Sequence, residues 1–160
     1  MPEYKEIVID FCTESEQLFD QLETHLTNLE DDLSNTSELE KFGQIIDRIM
    51  GAAKSIQASE IATFCELGKV IGYKSSQVRD IPLLEVVVAI LFDALDLLRK
   101  MIKSMRDGNN NSMKNLNTKA FTTRLNWLSN KFKDIERSSC AINGNLNQNS
   151  IDDLMKSLGL

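Results

Sequence analysis

Glu40, Gln44, Asp47 and Gly51 follow one another at steps of four, three and four. At 100° per residue they fall within about 60° of arc on one side of a helix, with Lys54 close by. The stripe offers a carboxylate, an amide and a second carboxylate beside a residue with no side chain. A glycine inside a helix costs about 1 kcal/mol relative to alanine. Close approach by another backbone or by a partner protein is one reason to tolerate it; the alternative is a solvated face with incidental charges. Other chemistries find no support. Cys12, Cys65 and Cys140 are scattered without metal-ligand spacing and read as reduced thiols. The single histidine, His25, lies on a different helix and reads as a surface or packed residue. There is no Gly-x-Ser-x-Gly and no Gly-x-x-x-x-Gly-Lys.

The stripe needs a bundle behind it. Phe42, Ile45, Ile46, Ile49, Ala53 and Ile56 fall within about 100° of arc on the opposite side, forming a core face. Two prolines and seven glycines, with apolar residues every three or four positions, make the chain all-α. A first helix over about 13–33 carries Leu18, Leu22, Leu26, Leu29 and Leu33. The polar run Ser34-Asn35-Thr36-Ser37 ends it and offers a cap to a second helix, about 40–56. A third covers about 59–71 and ends near Gly72. Asp80 and Pro82 announce a fourth, whose Leu84, Val88, Leu91, Leu95, Leu98, Ile102 and Met105 mark it as central. After the loop at 107–111, a fifth carries Phe121, Leu125, Leu128, Phe132 and Ile135, with Trp127 beside that stripe expected at the core edge, a contact surface being the alternative. The expected organisation is a helical bundle over 1–137, an Asn-rich flexible linker over 138–149 and a terminal peptide over 150–160.

At 160 residues the chain fits one domain with its own core. A net charge of −6 argues against nucleic acid and anionic membranes as partners. The most apolar stretch, 81–98, is interrupted by Pro82, Glu85, Asp93 and Asp96 and is too charged to span a membrane. With no signal-peptide pattern at the start, the expected location is the cytoplasm.

Asp47-Arg48-Ile49-Met50-Gly51-Ala52-Ala53 resembles the His-x-x-Lys-Gly-Ser/Ala-Ala-like signature of histidine phosphotransfer (HPt) domains. Phe42 and the Leu-rich helix before it suit that family, and the resemblance extends over about 8–106. It implies an HPt-like up-and-down helical bundle. Asp47 stands where the phosphorylated His would be and Met50 where the Lys would be, so relay through histidine is not implied. The same helix, Glu40 to Met50, resembles the active-site helix of the CheZ family of CheY phosphatases, with its Asp-x-x-x-Gln pair followed by Gln-x-Ile-x-Arg-x-Met. Gln44, Ile46, Arg48 and Met50 match, and Glu40 replaces the Asp.

Ser150-Ile151-Asp152-Asp153-Leu154-Met155-Lys156-Ser157-Leu158-Gly159-Leu160 closely resembles the CheY-binding peptide at the C-terminus of CheZ. Ile151, Leu154, Met155 and Leu158 have i, i+3, i+4, i+7 spacing, and Asp152 and Asp153 suit a positive helix end. Ten residues are too few for a stable helix in water, so the expectation is a peptide disordered until it docks in a partner groove. The alternative is a tail folded back on its own bundle.

The resemblances imply a CheZ-like phosphatase acting on a phosphorylated CheY-type response regulator. Gln44 would orient the attacking water, and Glu40 would pair with the regulator's active-site lysine. Asp47 is the alternative carboxylate. Gly51 and Ala52 would leave room for the incoming surface, and Ile151, Asp152, Asp153, Leu154, Met155, Leu158 and Leu160 would bind the regulator. The chain itself would hold no cofactor, Mg2+ being carried by the regulator. Homodimerisation, as in CheZ, is left open. A second reading is a non-catalytic pseudo-HPt docking or adaptor protein that sequesters a regulator; a third is a degenerate module of a kinase assembly.

Overall fold

A computed structural model describes residues 2–108, 116–138 and 151–160. The described residues are helical apart from turns and short irregular connections: α1 (Pro2–Asp31), α2 (Ser37–Ser55), α3 (Ser59–Ser76), α4 (Ile81–Arg106), α5 (Lys119–Ser138) and α6 (Ile151–Ser157). No helix among them is long and apolar enough to cross a membrane. The all-α expectation holds. The Asn-rich segment lies outside the described residues except for Ser138, which ends α5.

α1 packs on α2 and α4, and α3 also packs on α2 and α4, so the four helices close a ring around one core. Leu22, Leu26 and Leu29 of α1, Phe42, Ile46 and Ile49 of α2, Phe64, Leu67 and Ile71 of α3, and Leu84, Leu91, Leu98 and Ile102 of α4 are all buried there. Periodicity drives this arrangement, since each helix has one apolar face to hide. α5 lies against α4 and reaches α3 through stacked Phe64 and Phe121 rings, 5.6 Å between centroids. α6 sits against α3 and α5.

Boundaries differ from the sequence expectation where a residue serves packing rather than termination. α1 begins at Pro2 instead of near Thr13, with proline tolerated in a first turn, where its missing N–H costs nothing. α3 runs through Gly72 to Ser76. A Cβ added at Gly72 would touch the Leu39 carbonyl at 3.6 Å and Phe42 at 3.7 Å, so this glycine thins α3 against α2 rather than ending it. The cap expected from the 34–37 run is not made by Thr36; Ser37 instead bonds the Asn35 side chain at 2.6 Å. Asp80 does cap α4, accepting from the Leu83 N–H at 3.2 Å with Pro82 in the first turn.

On α5, Phe121, Leu125, Leu128 and Phe132 are buried as expected, but Ile135 is exposed. Trp127 is exposed as well, with Lys131 over its ring at 5.4 Å, so it is surface rather than core edge.

Candidate functional site

The two faces of α2 separate as the 3.6-residue repeat requires. Phe42, Ile45, Ile46, Ile49, Ala53 and Ile56 are buried, and Met50 joins them. Glu40, Gln44, Asp47, Gly51 and Lys54 are exposed on the other side. α3 forms the second wall of a groove of about 360 Å3, lined by Glu40, Gly43, Gln44 and Asp47 on one side and Lys69, Tyr73 and Ser76 on the other. All three sequence-predicted polar residues therefore share one concavity.

Within it the groups differ in engagement. The Lys69 ammonium donates to Asp47 Oδ1 at 2.8 Å, bridging the walls. Neither Glu40 nor Gln44 makes a side-chain hydrogen bond or ion pair among the described residues. Both are open to an incoming group. A Cβ added at Gly43 or Gly51 would meet no atom within 4 Å, so these glycines open the surface of α2 rather than relieving crowding inside the protein. Sequence reasoning missed Lys69 and Tyr73. Their signal was available in Lys69, Tyr73 and Ser76, a polar i, i+4, i+7 stripe on α3.

The start of α2 is tied to α1. Glu38 is buried, with Oε2 2.6 Å from His25 Nδ1 and Oε1 3.3 Å from Lys41 Nζ. Hydrogen bonding to His25, more than the Lys41 contact, holds the Glu38 carboxyl below its usual range despite burial. His25 is thus a structural partner of α2 and does not line the Gln44 groove.

No cluster of three or more His, Cys, Asp or Glu among the described residues could hold a metal ion. Cys12 and Cys65 are buried, and burial pushes the Cys65 thiol up to about 12, far from a reactive thiolate. Cys140 lies outside the described residues.

The terminal peptide departs from the expectation of disorder: it is helical and seated on its own bundle. Ile151, Leu154 and Met155 are 1, 6 and 4% exposed and belong to the main core cluster. Asp152 accepts from the Ser129 hydroxyl at 2.8 Å and pairs with Lys133, and these contacts hold its carboxyl below the usual range, Lys133 contributing most. Asp153 is exposed, and Leu158 and Leu160 are half-buried. Gly159, at φ 75°, closes α6: its N–H bonds the Lys156 carbonyl at 3.1 Å, and the Leu160 N–H reaches back to Met155 at 2.9 Å. This pair is the Schellman arrangement, which favours glycine at the left-handed position. A helix too short to persist alone becomes ordered because burial and a terminal cap offset its nucleation cost.

Comparison of the chain with protein-family models, with curated proteins and with solved structures yields no match.

Proposed function

We propose that the chain is a CheZ-like, cytoplasmic phosphatase that dephosphorylates a CheY-type chemotaxis response regulator, built on an HPt-like up-and-down bundle without a phospho-acceptor histidine. The observation that carries this reading is the pairing of an unengaged amide, Gln44, with an unengaged carboxylate, Glu40, one turn apart at an open groove. The regulator's phosphorylated loop enters the groove. The Gln44 side-chain oxygen accepts a hydrogen bond from a water aligned with the aspartyl-phosphate. The water oxygen bonds to phosphorus as the P–O bond to the aspartate breaks. The electron pair leaves on the regulator's carboxylate, and the water's proton goes with inorganic phosphate. Alignment of this kind supplies several kcal/mol of barrier reduction without a covalent enzyme intermediate.

Glu40 meets the regulator's active-site lysine and fixes the approach. Asp47 is the weaker candidate for that role, because Lys69 already neutralises it. Mg2+ belongs to the regulator, and the absence of side chains at Gly43 and Gly51 admits the partner's surface.

The test is phosphate release from a phosphorylated CheY-type regulator, with and without this protein. Accelerated release that Gln44→Ala lowers by roughly a hundredfold, with binding retained, supports the mechanism. Regulator binding with an unchanged phosphate lifetime would leave a pseudo-HPt docking protein in its place.

A further inference from the structure

α6 fills the space beside α3 and α5 using the same apolar side chains that the CheZ resemblance assigns to the regulator. Ile151, Leu154 and Met155 point into the bundle, and the Asp152 carboxylate is taken by Ser129 and Lys133. One i, i+3, i+4 stripe cannot face two partners at once, because a seven-residue helix has a single apolar side. We infer that the C-terminal helix is a latch: its seat against α3 and α5 and its capture by a response regulator exclude each other, so the bundle competes with the regulator for its own tail. This inference rests on the regulator reading above.

The two lines supporting a specific seat are independent. Apolar burial of three side chains supplies attraction without direction. The Asp152 contacts supply register, since a carboxylate bonded by both a hydroxyl and an ammonium on α5 fixes where the helix starts. Affinity of the whole protein for the regulator is then the intrinsic affinity reduced by the fraction of tails that are unseated. Any change that weakens the seat without touching the tail's own residues should tighten regulator binding. Lys133 and Ser129 meet that condition: both lie on α5, outside the α2–α3 groove and outside the tail.

The experiment uses the full chain and two variants, Lys133→Glu and Ser129→Ala. Hydrogen exchange of the 151–160 amides reads the seat, and calorimetric titration with a beryllofluoride-loaded CheY-type regulator reads capture. In the unaltered protein the tail amides are protected. Lys133→Glu should remove much of that protection and tighten regulator binding roughly three- to tenfold. Ser129→Ala, which changes no charge, should act in the same direction by less. Tail amides that exchange at free-chain rates in the unaltered protein would overturn the latch. So would lost protection with unchanged regulator affinity, an outcome that leaves the regulator reading standing. If none of the three proteins binds the regulator while the tail is protected, the regulator reading itself fails and the competition with it.

Discussion

Lys69 Nζ lies 2.8 Å from Asp47 Oδ1 across the α2–α3 groove, while Glu40, two turns earlier on the same face of α2, has no ionic partner among the described residues. The two carboxylates of the stripe are therefore unequal. One is paired with the neighbouring helix, and the other stands without a side-chain partner among the described residues.

That inequality predicts an asymmetric pair of mutants. Glu40→Gln should lower kcat/KM for regulator dephosphorylation about tenfold or more, the scale expected when one partner of an interfacial charge pair is removed. Asp47→Asn should stay within about threefold and change stability by less than about 1 kcal/mol, since exposed ion pairs contribute little. Initial rates of phosphate release, with thermal melts alongside, check both. The reverse ranking would transfer the assisting role to Asp47.

Gly51 predicts a separation of fold from recognition. With no atom within 4 Å of an added Cβ, Gly51→Arg should fold normally and gain up to about 1 kcal/mol from helix propensity. A long cation on that surface should nevertheless weaken regulator binding roughly tenfold or more by obstructing docking. Equal regulator affinity for the variant and the parent would remove Gly51 from the contact surface.

Glu38 predicts an acid-sensitive joint between α1 and α2. Its folded-state carboxyl is held below the ordinary range, first by His25 and then by Lys41. The sign follows from linkage: its contribution is complete above the unfolded carboxyl range, near pH 4.3, and is lost as pH falls through the lower folded value. Glu38→Gln should therefore lower Tm by a few degrees at pH 6 and give a shallower decline than the parent on acidification below about pH 4.3. Melts taken at intervals between about pH 6 and pH 3 test this; parallel declines in both proteins would remove Glu38 from the acid response.

The sequence made the α2 site legible because its polar stripe and its core face are both set by the same 3.6-residue repeat. The core positions Phe42, Ile46 and Ile49 and the stripe positions Glu40, Gln44 and Asp47 separate cleanly on that basis. The other wall was not legible in the same way. Lys69 and Tyr73 join the site only because α2 and α3 are neighbours in a particular rotation, a property of the pair rather than of either segment. Gly72 misled for a related reason: a glycine that thins one helix against another resembles one that stops it. Trp127 and Ile135 were expected in or beside the α5 stripe, yet both are exposed, because the contacts of α5 with α4, α3 and α6 cover only part of its circumference. The tail's own signals were mixed. Its length argued for disorder, while the ending Leu158-Gly159-Leu160 carried the helix stop that its folded form uses.

The contact between α1 and α4 also governs the order in which the chain can mature. The Arg106 guanidinium reaches Glu16 across 90 positions of sequence, while each neighbouring pair among the first three helices meets across a short turn. During synthesis, α1, α2 and α3 can associate as soon as they emerge, but the ring stays open until the end of α4 has left the ribosome. Until then α1 lacks one of its two neighbours. A nascent chain paused shortly before residue 106 would therefore present an apolar surface that the finished protein conceals, and that is the stage at which chaperone attention would be concentrated.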